Sequence, residues 1–131
     1  MNDEAPNVSW RQLRDFADVD LGRSFVLSWQ AQGDLLTIDI DLYLEPGHPF
    51  YERPRPAEKV CIRPACIEFS CCDELRLAGS ESGKPADIVE KVGIGAIADL
   101  RVVADGRYEF SGDFGTVLIT AERPIADSRC G

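Results

Sequence analysis

The only histidine, His48, lies in a proline-rich run beside Tyr51, Glu52, Arg53 and Arg55. An imidazole titrates near neutral pH, so a histidine close to carboxylates can act as a general base or a metal ligand. The plainer reading is a surface-loop histidine with an ordinary hydrogen bond. A Ser–His–Asp hydrolase would need this residue, and the Gly-x-Ser-x-Gly elbow of such enzymes does not occur in the chain. Asp39 and Asp41 alternate along a β-type pattern, which places both carboxylates on one face roughly 7 Å apart. Two such carboxylates can hold a divalent cation or work as a glycosidase-like acid/base pair. They equally suit the solvated face of a half-buried sheet.

Cys61, Cys66, Cys71 and Cys72 invite comparison with a metal set. Their spacing, Cys-x4-Cys-x4-Cys-Cys, lacks the Cys-x2-Cys knuckles of structural zinc sites. Strand alternation also divides them: Cys71 falls on the side of Ile67 and Phe69, Cys66 and Cys72 on the other. Packing thiols are the expectation, with no metal and no cofactor. Gly93-Ile-Gly95-Ala-Ile-Ala98 fits a loosened dinucleotide fingerprint, but that motif needs a strand before it and a helix after it. Here the order is reversed, and the segment reads as the start of a strand.

The formal charge is −9, from 14 basic and 23 acidic residues. Such a chain repels phosphate backbones and anionic lipid, so neither nucleic acid nor a membrane surface is the expected partner. Against that background Arg53, Arg55, Lys59 and Arg63 form a locally basic run. An Arg-Pro-Arg-Pro segment of extended backbone can dock in a partner's groove, or meet the acidic face of a second copy. Residues 1–6 show neither the basic region nor the apolar core of a secretory leader. No apolar run approaches the roughly 20 residues of a membrane helix. The expected location is cytoplasmic, where the five cysteines stay reduced.

Several elements must position these groups, and the clearest spans residues 24–44. Phe25, Leu27, Trp29 and Ala31 hold odd positions, while Leu36, Ile38, Ile40, Leu42 and Leu44 hold even ones. Gly33-Asp34 between them suits a two-residue hairpin turn. That turn pairs Ala31 with Leu36, Trp29 with Ile38, Leu27 with Ile40 and Phe25 with Leu42, apolar against apolar throughout. Upstream, Ser9 and Gln12 form a capping-box pattern for a short helix whose face holds Trp10, Leu13 and Phe16, ended by Asp18, Asp20 and Gly22.

Residues 45–64 carry five of the eight prolines and read as a stiff loop, the segment type in which sites concentrate. Strand runs over 59–62 and 65–71 follow, with Pro64 between them suggesting a bulge or an edge position, and then a brief extension at Leu75 and Leu77. Pro85 opens a turn or two of helix. The last third reads as a meander. Ala104-Asp105-Gly106 joins Val102–Tyr108 and Leu100–Phe110 pairs, and Asp113-Phe114 joins Phe110–Val117 and Tyr108–Ile119 pairs. Residues 122–131 read as a polar tail after a 1–7 polar lead.

These signals predict one mainly β domain over 1–131, an antiparallel sandwich or partly open barrel of at least six strands with one or two short helices. With 44% hydrophobic and 28% charged residues the composition is that of an ordinary globular chain. No complete catalytic set is present. The expectation is therefore a non-catalytic binding module, of toxin-neutralising or immunity-like type, that meets a protein partner or itself. The alternative is a small enzyme or ligand carrier whose polar wall holds His48, Tyr51, Arg53 and Asp39 or Asp41.

Overall fold

Gly33 sits at φ +59°, and the Gly33-Asp34 turn it permits joins two long strands. The computed structural model describes residues 8–10, 16–49, 51, 53 and 61–128. Its strands are β1 (Val8–Ser9), β2 (Val19–Gln32), β3 (Leu35–Leu44), β4 (Cys61–Phe69) and β5 (Glu74–Leu77). After α1 (Pro85–Ile88) and a 3-10 turn at Val89–Lys91 come β6 (Gly95–Ala104), β7 (Arg107–Gly112), β8 (Gly115–Thr120) and β9 (Ile125–Ser128). All pairings are antiparallel. The strands form one open sheet in the order β5-β8-β7-β6-β2-β3-β4-β9, with β1 also on β6.

The sheet curls around a single core. On β3, Leu36, Ile38, Ile40, Leu42 and Leu44 are buried in strict alternation. Each such side chain contributes roughly 1.5–3 kcal/mol by leaving water. Phe69 on β4 lies 5.3 Å, ring to ring, from Tyr108 on β7, although three strands separate them along the sheet. At the hairpin end Trp29 meets Phe110 and Phe114 edge-on at 5.8 and 5.4 Å, and its indole N–H donates to the Gly93 carbonyl at 2.8 Å.

Two corners bring the ends of the sheet path together. β4 turns into β5 through residues 70–73, and β8 turns into β9 through 121–124. Across the corners the Glu122 N–H donates to the Ser70 carbonyl, and the Asp73 N–H donates to the Thr120 carbonyl. Cys71 makes the first corner at φ +52°. Elsewhere β2 and β6 pair only at Phe25–Ala96 and Val26–Gly95. Where they diverge, β1 pairs with Arg101 and Val102 of β6, and buried Trp10 and Phe16 join the core.

The meander has the expected register, with Leu100–Phe110, Val102–Tyr108, Phe110–Val117 and Tyr108–Ile119 all paired. Gly106 takes φ +75°, but Ala104 pairs with Arg107, so the loop is Asp105-Gly106 and the ladder shifts between Val102 and Ala104. Gly95 opens β6, as the inverted motif context implies.

Other segments depart from expectation. Ser9 lies in β1 rather than at a helix cap, and Asp20 and Gly22 lie within β2. Residues 11–15 of the expected helix, including Gln12 and Leu13, are outside the described residues. β4 begins at Cys61 and includes Pro64, so the loop ends earlier than its prolines suggest. Among the described residues the β9 ladder starts at Ala65, which leaves Pro64 at an edge, as the sequence suggests. The expected tail contains β9, held by four pairs to β4 from Glu68–Ile125 to Ala65–Ser128.

Candidate interaction face

Between Trp29 and Phe25 the hairpin register slips. Ala31–Leu36 and Trp29–Ile38 pair as expected, but Val26 lies opposite Ile40 and Phe25 opposite Asp41. A bulge at Leu27 inserts one residue and reverses which side chains face inward. Val26 is buried, and Phe25 and Leu27, expected in the core, are 49% and 40% exposed. Both parities of residues 25–27 are apolar, so either strand face could supply the core from this segment. A second irregularity sets residues 21–24 against Leu42 alone. Buried Ser24 holds it closed: its hydroxyl donates to the Asp20 carbonyl at 2.8 Å and accepts from the Tyr43 N–H at 3.0 Å.

The outer face can be written as rows of paired residues. Asp20, Tyr43 and Ile62 form one row, and Ala96, Phe25, Asp41 and Pro64 the next. Ser28, Asp39 and Cys66 follow, then Gln30, Thr37, Glu68 and Ile125. Ile94 precedes β6, next to the Gly95–Val26 pair and so beside Leu27. Ile62, Ile94 and Ile125 are 39%, 61% and 45% exposed. With Phe25 and Leu27 they are all the exposed large hydrophobic side chains among the described residues, and all lie on β2, β4 or β9 or, for Ile94, directly before β6.

Asp39 and Asp41 lie on this outer face, as alternation predicts. The Asp39 carboxylate accepts from the Ser28 hydroxyl at 2.9 Å and from the Gln30 amide at 3.3 Å. Asp41 is half-buried between Phe25 and Pro64, with no hydrogen-bond or ion-pair partner for its carboxylate among the described residues. At the margin the Arg23 guanidinium stacks over Tyr43 at 5.3 Å, donates to its hydroxyl at 3.3 Å and approaches Asp20 at 3.6 Å.

The other expected site residues occupy the segment after β3. His48 is half-buried; its N–H donates to the Glu45 carbonyl, and its own carbonyl accepts from the Tyr51 N–H at 3.0 Å. Tyr51 packs against the core, and Arg53 is exposed. Arg55 is outside the described residues. Among the described residues, no group of three or more His, Cys, Asp or Glu side chains is placed to hold a metal ion.

The cysteines divide differently from the simple alternation. Cys66 faces away from the core as expected, paired with Asp39. Cys71 is exposed and Cys72 joins the core, the reverse of their expected sides, because β4 ends at Phe69 and Cys71 turns left-handed. Burial pushes the Cys72 thiol up to about 11. The Cys71 thiol is raised chiefly by its hydrogen bond to the Glu122 carboxylate and by that group's charge.

No known protein family, curated protein or solved structure matches the chain. No helix among the described residues is long and apolar enough to cross a membrane. The aspartates of the outer face were legible from alternation. Its apolar part was not, because it depends on the bulge at Leu27 and on side chains from three further strands.

Proposed function

We propose that the protein is a non-catalytic interaction module that docks a protein partner on the outer face of β6-β2-β3-β4-β9. The supporting observation is the gathering of Phe25, Leu27, Ile62, Ile94 and Ile125 on or directly before one contiguous set of strands. Single apolar side chains are normal on any surface; five on or beside neighbouring strands of one sheet, interspersed with Tyr43, Asp41 and Asp39, make the mixed apolar and polar surface that interfaces use. Arg and Tyr are over-represented among residues that dominate binding, and the Arg23–Tyr43 stack stands at the margin of this area. A rigid sheet also presents its side chains at little conformational cost. A toxin-neutralising or immunity-like role suits a small acidic module of this kind.

The test is size-exclusion chromatography of lysates from cells producing the tagged chain at native level. The wild type is expected in a species larger than its 14.5 kDa. A Phe25→Asp, Ile62→Asp double variant, shown to be folded by circular dichroism, should elute as the free chain. If the folded variant stays in the large species, this face is not the docking surface.

A further inference from the structure

The charges within the apolar face identify its partner's chemistry. By register the face carries the carboxylates of Asp20, Asp39, Asp41 and Glu68; the Arg23 guanidinium joins them through Asp20 and Tyr43, and β6 adds the Arg101–Asp99 ion pair. Arg63 belongs to the opposite side of β4, paired with Leu42, and its guanidinium donates to the Ile62 carbonyl at 2.9 Å. The face is therefore acidic as well as apolar.

Asp41 decides what can cover it. Asp41 is half-buried between Phe25 and Pro64, and its carboxylate has no partner among the described residues. Its exposed part is open to water. Apolar surface laid over Phe25 and Ile62 would remove that water and strand a charge, which is strongly unfavourable unless a cation replaces it. Asp39, already held by Ser28 and Gln30, makes a smaller demand of the same sign.

We infer that the occupant is a basic protein surface that seats a Lys or Arg side chain on Asp41 and Asp39 while its apolar residues cover Phe25, Leu27 and Ile62. This rests on the docking reading above and adds the partner's charge. A second copy that sets this face against itself is disfavoured by the same observations. Each chain carries −9, and a two-fold contact would set one acidic face against another. Anionic lipid is disfavoured for the same reason.

The experiment uses the full chain, immobilised, and a phage library displaying random dodecapeptides. Enriched sequences should place Lys or Arg beside aliphatic or aromatic residues. A synthetic peptide of the leading sequence should bind at least tenfold more weakly to Asp39→Asn, Asp41→Asn protein, and more weakly still as salt rises. A Glu74→Gln, Glu81→Gln variant, changed at exposed acids off this face, should bind as the wild type does. Binding lost in Phe25→Asp, Ile62→Asp protein but unchanged in Asp39→Asn, Asp41→Asn protein would overturn the cationic partner and leave the docking face standing. Binding indifferent to both pairs, or no enrichment at all, would overturn both. Sedimentation velocity showing a dimer broken by Phe25→Asp would replace the basic partner with a second copy. Flotation with phosphatidylcholine vesicles would replace it with lipid.

Discussion

At the scale of the residue, Ser24 holds the irregular part of β2 in place. Four residues, 21–24, lie opposite Leu42 alone, so local ladder bonds are missing. One buried hydroxyl substitutes for them by bridging the Asp20 carbonyl and the Tyr43 N–H. Ser24→Ala leaves that N–H buried without its acceptor, and the expected loss is about 1–3 kcal/mol, read from the urea midpoint. A loss below the scatter of surface substitutions would mean the bulge stands without the bridge. Cys71 offers a second test at this scale. It is exposed, yet the adjacent Glu122 carboxylate raises its thiol, so less of the reactive thiolate is present near pH 8. In a Cys130→Ser background one thiol should react with Ellman's reagent in the folded protein, and Glu122→Gln should speed it. Cys61, Cys66 and Cys72 should respond only on unfolding, since all three are buried. Equal rates with and without Glu122 would remove the electrostatic account.

At the scale of the element, the hairpins show how far sequence pattern reaches. Near each turn the register was legible, because Gly33, Gly106 and Gly115 fix the turn and the alternation fixes the faces. Six residues back from Gly33 the legibility ends. The bulge at Leu27 is set by what β6 and β3 require of β2, and residues 25–27 are apolar on both parities. The corner at Cys71 was hidden likewise, since a cysteine at φ +52° has no compositional signature. One glycine carries a different constraint. A Cβ on Gly112 would collide with the Ala96 carbonyl oxygen of the adjacent strand, beside the Ile97–Gly112 pair. Gly112→Ala should therefore cost about 3 kcal/mol or more, because the obstruction is backbone and must shift with its ladder. Gly33→Asn should cost under about 1 kcal/mol, as its Cβ meets open space and asparagine accepts positive φ. Comparable melting temperatures for the two variants would show that β6 and β7 separate more easily than their contact implies.

At the scale of the whole molecule, candidate face and core are two sides of one curled sheet. Asp39 and Asp41 could be placed on the outer side from local alternation alone. Ile62, Ile125 and Phe25 join them only through the β2–β3–β4–β9 pairings, which link segments far apart in the chain. The inner side binds a proton balance that pH can test. Burial raises the Cys72 thiol from its ordinary 9.0 to about 11. Burial also raises the Tyr108 phenol, with Arg123 opposing and Asp105 assisting. Well below pH 9 these groups are protonated whether the chain is folded or not, so they add no pH dependence there. Between about 9 and 11 the unfolded chain releases the Cys72 proton while the folded chain keeps it, and unfolding gains as pH rises. Tyr108 extends the same trend from its own ordinary value upward. The urea midpoint should therefore fall as pH climbs from about 8.5 to about 10.5, where titration of the thiol governs the slope. Cys72→Ala should start lower, having lost core contacts, and then fall less steeply because one of the two protons is gone. Parallel falls in the wild type and the variant would assign the alkaline limb to the general repulsion of an increasingly anionic chain, and not to the thiol beneath the corner.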